Sequence, residues 1–195
     1  MKNTLCVNNY VIPDEAIEME FKCLMRSCPK NLSAGDLENV TAKFKQKAGD
    51  LAVNRYLLLE EARSRGIEVS DAEINALLAQ AKGKNTETRV RISDACKVEK
   101  LISSIVTSVP KPAREEIVKH LKEAANIDAD SGGENTELMR KLVDKTGVLL
   151  HRLRQNLALN DFIAELRKKA TIIGQDNQQC GQDSTQTPQS ASPAP

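Results

Sequence analysis

The stretch RYLLLEEARSRGIEVSDAEINALL, residues 55–78, contains the end of one helix, a sharp turn and the start of another. Arg63 and Arg65 place cations at the carbonyl end of the first helix, where its dipole favours them. Gly66 is predicted to take the left-handed conformation that terminates helices, with Ile67 folding back. Ser70 is predicted to cap the next helix. Glu73 stands at the third helical position to complete a capping box, and Val69 and Ile74 occupy the two positions of a hydrophobic staple. Gly66, Ser70 and Glu73 therefore specify stop, turn and restart from local sequence. Taken alone they make a structural corner and carry no chemistry.

Upstream, apolar residues recur at Leu37, Val40, Phe44, Ala48, Leu51, Ala52, Leu58 and Leu59. Leu37, Phe44, Leu51 and Leu58 are spaced by seven, which predicts a stripe along one face, with Lys43, Lys45, Lys47 and Glu60 mostly off it. Ser33 is the predicted N-cap, with Asp36 at the third position. A helix from Ser33 to Arg65 would be about 50 Å long. Gly49 weakens it by roughly 1 kcal/mol relative to Ala. Such a stripe is ordinarily a core face, but this one is longer than one small helix can cover. Before it, residues 3–12 read as an extended entry. Asp14 is predicted to cap a helix running to about Cys28, with Ile17, Phe21, Leu24, Met25 and Cys28 at helical spacing.

Downstream, the third helix carries Ile74, Leu77, Leu78 and Ala81 and fades at KGKNTE. A fourth runs from about Glu87 to Ser108, with Val98, Leu101, Ile102, Ile105 and Val109 on one face. Pro110 and Pro112 end it, because the residue before a proline avoids the helical region. Pro112 is predicted to occupy the first turn of a fifth helix, PAREEIVKHLKEAA. NIDADSGGEN reads as a polar loop. The last helix runs from near Thr136 to about Ala170, with a leucine-rich face from Leu149 through Leu157 to Leu166 and a predicted kink or split at Gly147. The final stretch, rich in Gln, Ser and Pro, reads as disordered.

The composition excludes several classes. The 195 residues are enough for one or two domains with a core. With 28 basic and 27 acidic residues the formal net charge is +1, so no global field draws the chain to nucleic acid or an anionic membrane. Aromatics make up 3%, with no Trp, which argues against base-stacking surfaces. The first residues lack the apolar run of a secretory signal, and no window approaches the eighteen or so apolar residues of a membrane span. The expected location is the cytoplasm. There an odd set of five cysteines, Cys6, Cys23, Cys28, Cys96 and Cys180, reads as free thiols and not as a disulfide framework. Cys23 and Cys28 supply half of a zinc site at most, because no second cysteine pair accompanies them and His120 and His151 stand alone on helices.

Little catalytic chemistry is available. DSGGEN has two glycines but neither the flanking strand nor the Lys-Ser/Thr of a phosphate loop. No nucleophile is placed beside either histidine. The carboxylates alternate with Lys and Arg as on solvated helix faces. ELRKKA reads as the cationic bias of a helix C-terminus.

Three stretches, VNNYVIPDEAIEMEFKCL, LSAGDLENVTAKFKQKAGDLAVNRYLLLEEARSRGIEVSDAEINALL and VEKLISSIVTSVPKPAREEIVKHL, resemble the helical chaperone region of SurA-like, PrsA-like, PpiD-like and NifM-like peptidyl-prolyl isomerases. DFIAELRKKATII resembles the helix and strand that close that domain after the catalytic module. In the family a parvulin domain follows the VPxPxxxEI helix. Here only residues 126–136 separate the fifth helix from the last, and a domain needs roughly 50 residues or more. The parvulin histidines have no counterpart, and Ala113 replaces a usual capping Thr or Ser. The resemblance therefore implies the fold without the isomerase activity.

The expected architecture is all-α: about six helices of a SurA-N-like chaperone domain over residues 1–173, with a minimal two-stranded β element where residues 5–8 meet 171–173. Within it, residues 7–125 supply the N-terminal helices, 126–136 a loop in place of the catalytic insert, and 137–173 the closing helix; 174–195 form a polar tail. The expected function is non-catalytic binding of unfolded, partly folded or nascent polypeptide through Phe21, Met25, Phe44, Leu51, Leu58, Leu149, Leu153 and Phe162. No cofactor, metal, nucleic acid or membrane is expected. Two rivals are a divergent prolyl isomerase, which a proline-isomerisation assay would detect, and a dedicated assembly subunit using the same helices for one partner or a homodimer.

Overall fold

A computed structural model of the chain describes residues 4–29, 31–80, 85–125 and 137–174. Six helices follow a short hairpin: β1 (Cys6–Val7), β2 (Tyr10–Val11), α1 (Asp14–Arg26), α2 (Ala34–Ser64), α3 (Asp71–Leu78), α4 (Thr86–Ser108), α5 (Arg114–Ala125), α6 (Glu137–Lys169) and β3 (Ile172–Ile173). The fold is all-α with a small sheet. Ala81, the 126–136 loop and the tail beyond Gly174 lie outside the described residues.

The sheet has three strands, one more than expected, in the order β2-β1-β3, all antiparallel. The extra strand arises because Asn8 and Asn9 both hold positive φ, 50° and 67°, and Val7 pairs with Tyr10 across them. That is the two-residue hairpin for which Asn is well suited. The Asn8 side chain also accepts from the Thr171 N–H at 2.9 Å, and the Asn8 N–H donates to the Thr171 carbonyl, which ties the hairpin to the C-terminal strand.

Helix starts follow the local chemistry with two corrections, at α1 and α5. Ser33 caps α2 and accepts from the Asp36 N–H. Asp14 does not cap α1; it is the first helical residue after Pro13, so its carboxylate supports the N-terminus by charge alone. α4 begins at Thr86, where Asn85 accepts from the Thr88 N–H at 2.8 Å. α5 begins at Arg114, so Pro112 precedes the helix; the Ala113 carbonyl accepts the first helical bond, from Ile117.

α2 organises the core, but its buried face is not the stripe spaced by seven. Ala48, Ala52, Val53, Leu57, Leu58 and Ala62 are buried, whereas Phe44 and Leu51 are half-buried and Leu37 is 42% exposed. A straight helix drifts by about 20° per heptad, so three heptads carry a strict seven-residue spacing off a fixed face. Small alanines in the face admit close neighbours. One cluster gathers Val7, Ile12, Ala52, Val53 and Leu57, with Ile17 and Ile172 against it. A second gathers Leu58, Ala62 and Leu101, with Val98, Ile102 and Ile105. Leu166 of α6 touches both clusters. Beside it, the next residue, Arg167, donates to Asn54 at 2.6 Å and Asp50 at 2.7 Å.

α6 runs unbroken through Gly147. The glycine serves packing: a Cβ there would lie 2.9 Å from Ile117 Cδ1, so α5 approaches α6 more closely than any other residue would permit. The leucines assigned to the inward face also divide. Leu166 packs inward, but Leu149 and Leu157 point to solvent.

At the corner, Gly66 has φ 66°. Its N–H bonds the Arg63 carbonyl and the Ile67 N–H bonds the Ala62 carbonyl, both at 3.0 Å, which is a complete Schellman motif. A Cβ at Gly66 would meet nothing within 4 Å, so only the backbone demands glycine. Gly66→Val is expected to lower stability by more than about 1 kcal/mol through that strain. An unchanged urea midpoint would contradict it. A fragment ending at Ala125 loses Leu166, Arg167 and β3 together. It is expected to melt with poor cooperativity, whereas 1–174 melts as the full chain does; equally sharp thermal transitions for both fragments would refute this.

Candidate functional site

The corner residues form a connected polar cluster. The Ser70 N–H donates to Glu73 Oε2 at 2.9 Å, and the Glu73 N–H donates to Ser70 Oγ at 3.3 Å, so the capping box is reciprocal. Lys100 of α4 adds a third member, with Nζ 2.9 Å from the Glu73 carboxylate and 3.0 Å from the Glu68 carbonyl. Lys100 first, then the Ser70 N–H and hydroxyl, hold the Glu73 carboxyl at about 2, against an ordinary 4.5. The cluster ties α3 to α4 and lines neither of the clefts described below, which fits a structural role.

The eight residues expected to contact polypeptide do not share one surface. Leu58 is 5% exposed within the second core cluster and is unavailable to a ligand. Phe162 is half-buried against the same cluster, and the Arg65 guanidinium lies 5.1 Å over its ring. Phe21, Met25, Phe44 and Leu51 are half-buried along α1 and α2. Leu149 and Leu153 are open, 64% and 54% exposed. With Leu142 and Leu157, also exposed, they recur at helical spacing and form one apolar stripe on the outer side of α6.

Two open clefts of about 500 Å³ each flank the helices. The first lies between α1, α2 and α4 and contains Tyr10, Met19, Tyr56 and Leu59. Tyr10 and Tyr56 stack with ring centroids 4.5 Å apart, and burial, followed by the nearby Glu60, pushes the Tyr56 phenol up. Several of its charges are answered: Arg55 pairs with Glu20 at 3.3 Å, and Asp94 with Arg63 at 3.2 Å.

The second cleft lies between α5 and α6, above the Ile117–Gly147 contact. Its apolar floor is Ile117 and Val143, both buried. Lys111, Arg114 and Arg152 line it, all exposed, with Asp144 as the one carboxylate. Sequence reasoning passed over these residues, because the cations come from a loop and two helices and form no local motif. His151 also lines the cleft. Gln155 Nε2 lies 3.2 Å from the Val106 carbonyl and 3.0 Å from His151 Nε2. An amide nitrogen only donates, so His151 Nε2 accepts and the neutral ring carries its proton on Nδ1. That nitrogen is buried and has no hydrogen-bond partner among the described residues.

Among the described residues, no group of three or more His, Cys, Asp or Glu side chains is placed to hold a metal ion, and no helix is long and apolar enough to cross a membrane. Cys6, Cys23, Cys28 and Cys96 are free thiols. No protein-family model, curated protein or solved structure matches the chain.

The lowered Glu73 carboxyl has a consequence for acid stability. Its folded value lies below its unfolded one, so its stabilising contribution is fully present above about 4.5 and is lost as the pH falls through about 2. Glu73→Gln keeps an acceptor for the Ser70 N–H and removes the titration. The variant is expected to be less stable than the parent at pH 6.5, with the gap much narrower at pH 2.5. Urea midpoints at the two pH values check this, and a gap independent of pH would show that Glu73 is not a coupled carboxylate.

Proposed function

We propose that the chain binds unfolded or partly folded polypeptide without catalysing a reaction on it. The observation that carries this reading is the outer stripe of α6, where Leu142, Leu149, Leu153 and Leu157 are exposed along a 33-residue helix. A row of large aliphatic side chains held open to solvent suits contact with apolar segments of another chain. Lys141, Lys145 and Arg152 beside the row keep such a surface soluble. The resemblance of residues 7–125 and of the closing helix to the SurA-like chaperone region supports the same reading. Capture of many clients is favoured over catalysis, because the catalytic module of that family has no room between α5 and α6.

Suppression of aggregation of a chemically unfolded model client, followed by light scattering, tests the proposal. The intact protein is expected to suppress scattering near stoichiometric ratios. Leu149→Ser, Leu153→Ser and Leu157→Ser combined should weaken client binding by at least about tenfold, since each leucine buried on binding contributes roughly 1.5–3 kcal/mol. All three side chains face solvent, so the fold should persist. No suppression by the parent, or equal suppression by the triple variant, would overturn the proposal. Sedimentation alone and with client separates a free holdase from a subunit that uses the stripe for self-association.

A further inference from the structure

We propose that the α5–α6 cleft is a binding site for an acidic side chain of a polypeptide, an aspartate or glutamate adjacent to an apolar residue. This deepens the polypeptide-binding reading above and rests on it.

The inference starts from a contrast in charge pairing. On the packed helix faces many cations are answered: Arg55 by Glu20, Arg63 by Glu60 and Asp94, Arg65 by Glu61, Lys100 by Glu73, Arg154 by Glu116 and Arg167 by Asp50. At the α5–α6 cleft, Lys111, Arg114 and Arg152 converge with no ion-pair partner among the described residues. Asp144 is the lone carboxylate in the wall, and it too is unpaired, so the cleft carries an excess of positive charge. Two guanidinium groups lining one cleft, Arg114 from α5 and Arg152 from α6, suit a carboxylate, whose paired oxygens match the planar fork of arginine.

The second observation is independent of charge. His151 Nδ1–H is a buried donor with no partner, in a residue that lines the same cleft. Gln155 fixes its tautomer by occupying Nε2, and the bond from Gln155 to the Val106 carbonyl anchors that arrangement to α4. Nδ1 is closed to solvent as the ring is placed, so a turn of the His151 ring toward the cleft would be needed before a carboxylate there could satisfy this donor. The floor adds the third requirement. Ile117 and Val143 are buried beneath the cations, and Val148 stands exposed at the rim, 53% accessible. The ligand therefore needs an apolar group beside its acid. The cleft is open to solvent, with Lys111, Arg114, Asp144 and Arg152 all exposed.

Fluorescence anisotropy with a labelled twelve-residue peptide containing two Leu-Glu pairs tests this, beside the same peptide with Gln for Glu. The Glu peptide is expected to bind roughly tenfold more tightly at low salt, and the difference should shrink as salt rises. Arg114→Gln with Arg152→Gln should weaken the Glu peptide by a similar factor and leave the Gln peptide unchanged; Lys22→Gln, on α1, should change neither. The comparison of the two peptides on the unaltered protein stands even if the double variant folds poorly. Equal binding of the Glu and Gln peptides overturns the cleft assignment. If that binding is also lost on Leu149→Ser/Leu153→Ser/Leu157→Ser, the polypeptide-binding reading survives alone. Failure of both peptides, together with no suppression of client aggregation, removes both. Acetate or succinate competing as well as the Glu peptide would show a site for free organic acids, and this also overturns the proposal.

Discussion

The buried face of α2 is the constraint on which the rest of the structure depends. Ala48, Ala52 and Ala62 give this helix a smooth inward surface, and Val53, Leu57 and Leu58 supply the volume that fills the space around it. Because both hydrophobic clusters draw on the same helix, α1, α4 and α6 are all placed by their fit to it. Interiors are packed at crystal-like density, so the alanines matter as much as the leucines. A larger side chain at Ala52 or Ala62, both almost wholly buried, would have to displace a neighbouring helix.

The division of labour on α6 follows from that placement. Its N-terminal half faces α5, its middle faces α4 and its C-terminal half faces α2. Three successive partners at three angles rotate the buried face along the helix, through Val143, Gly147 and His151 to Phe162, Leu166 and Ala170. What remains outside is a nearly straight row, Leu142, Leu149, Leu153 and Leu157. A helix serving one flat core would bury its leucines and expose its polar residues. Here glycine, histidine and glutamine sit toward the neighbours, and leucines are left in water. That inversion is the physical basis for assigning binding to the outer face.

These facts also explain what the sequence could and could not reveal. The Gly66 turn, the Ser70–Glu73 box and the Ser33 cap depend on contacts within a few residues, so residue type and spacing suffice to read them. Lys100 joins Glu73 from 27 positions away, and no local pattern announces it. Leu58 and Leu149 look alike in sequence, yet one is enclosed and the other is 64% exposed, because apolar residues occur on more than one face of each long helix. Gly147 looked like a helix breaker because isolated propensity was the only term in view; the steric demand of Ile117 against α6 decides its role instead. His151 stands alone in the sequence and acquires a setting only when α5 packs on α6 and forms the cleft that His151 lines.

The net charge of +1 hides a locally organised distribution. Most of the arginines on the helical faces have carboxylates within reach, and those pairs cancel at a distance. The unpaired cations of the α5–α6 cleft do not cancel, but their field fades within about 8 Å at physiological salt. Such a site does not attract a ligand from afar. Under the proposed reading it would discriminate among segments already brought to the surface by something else, and the apolar row on the same helix would supply that first contact. Arg152 lies between the two features on α6, at the edge of the leucine row and in the wall of the cleft. On this view the leucines would set how readily a chain adheres, and the cations which adhering chains stay, with acidic segments retained because only they give Arg114 and Arg152 an acceptor.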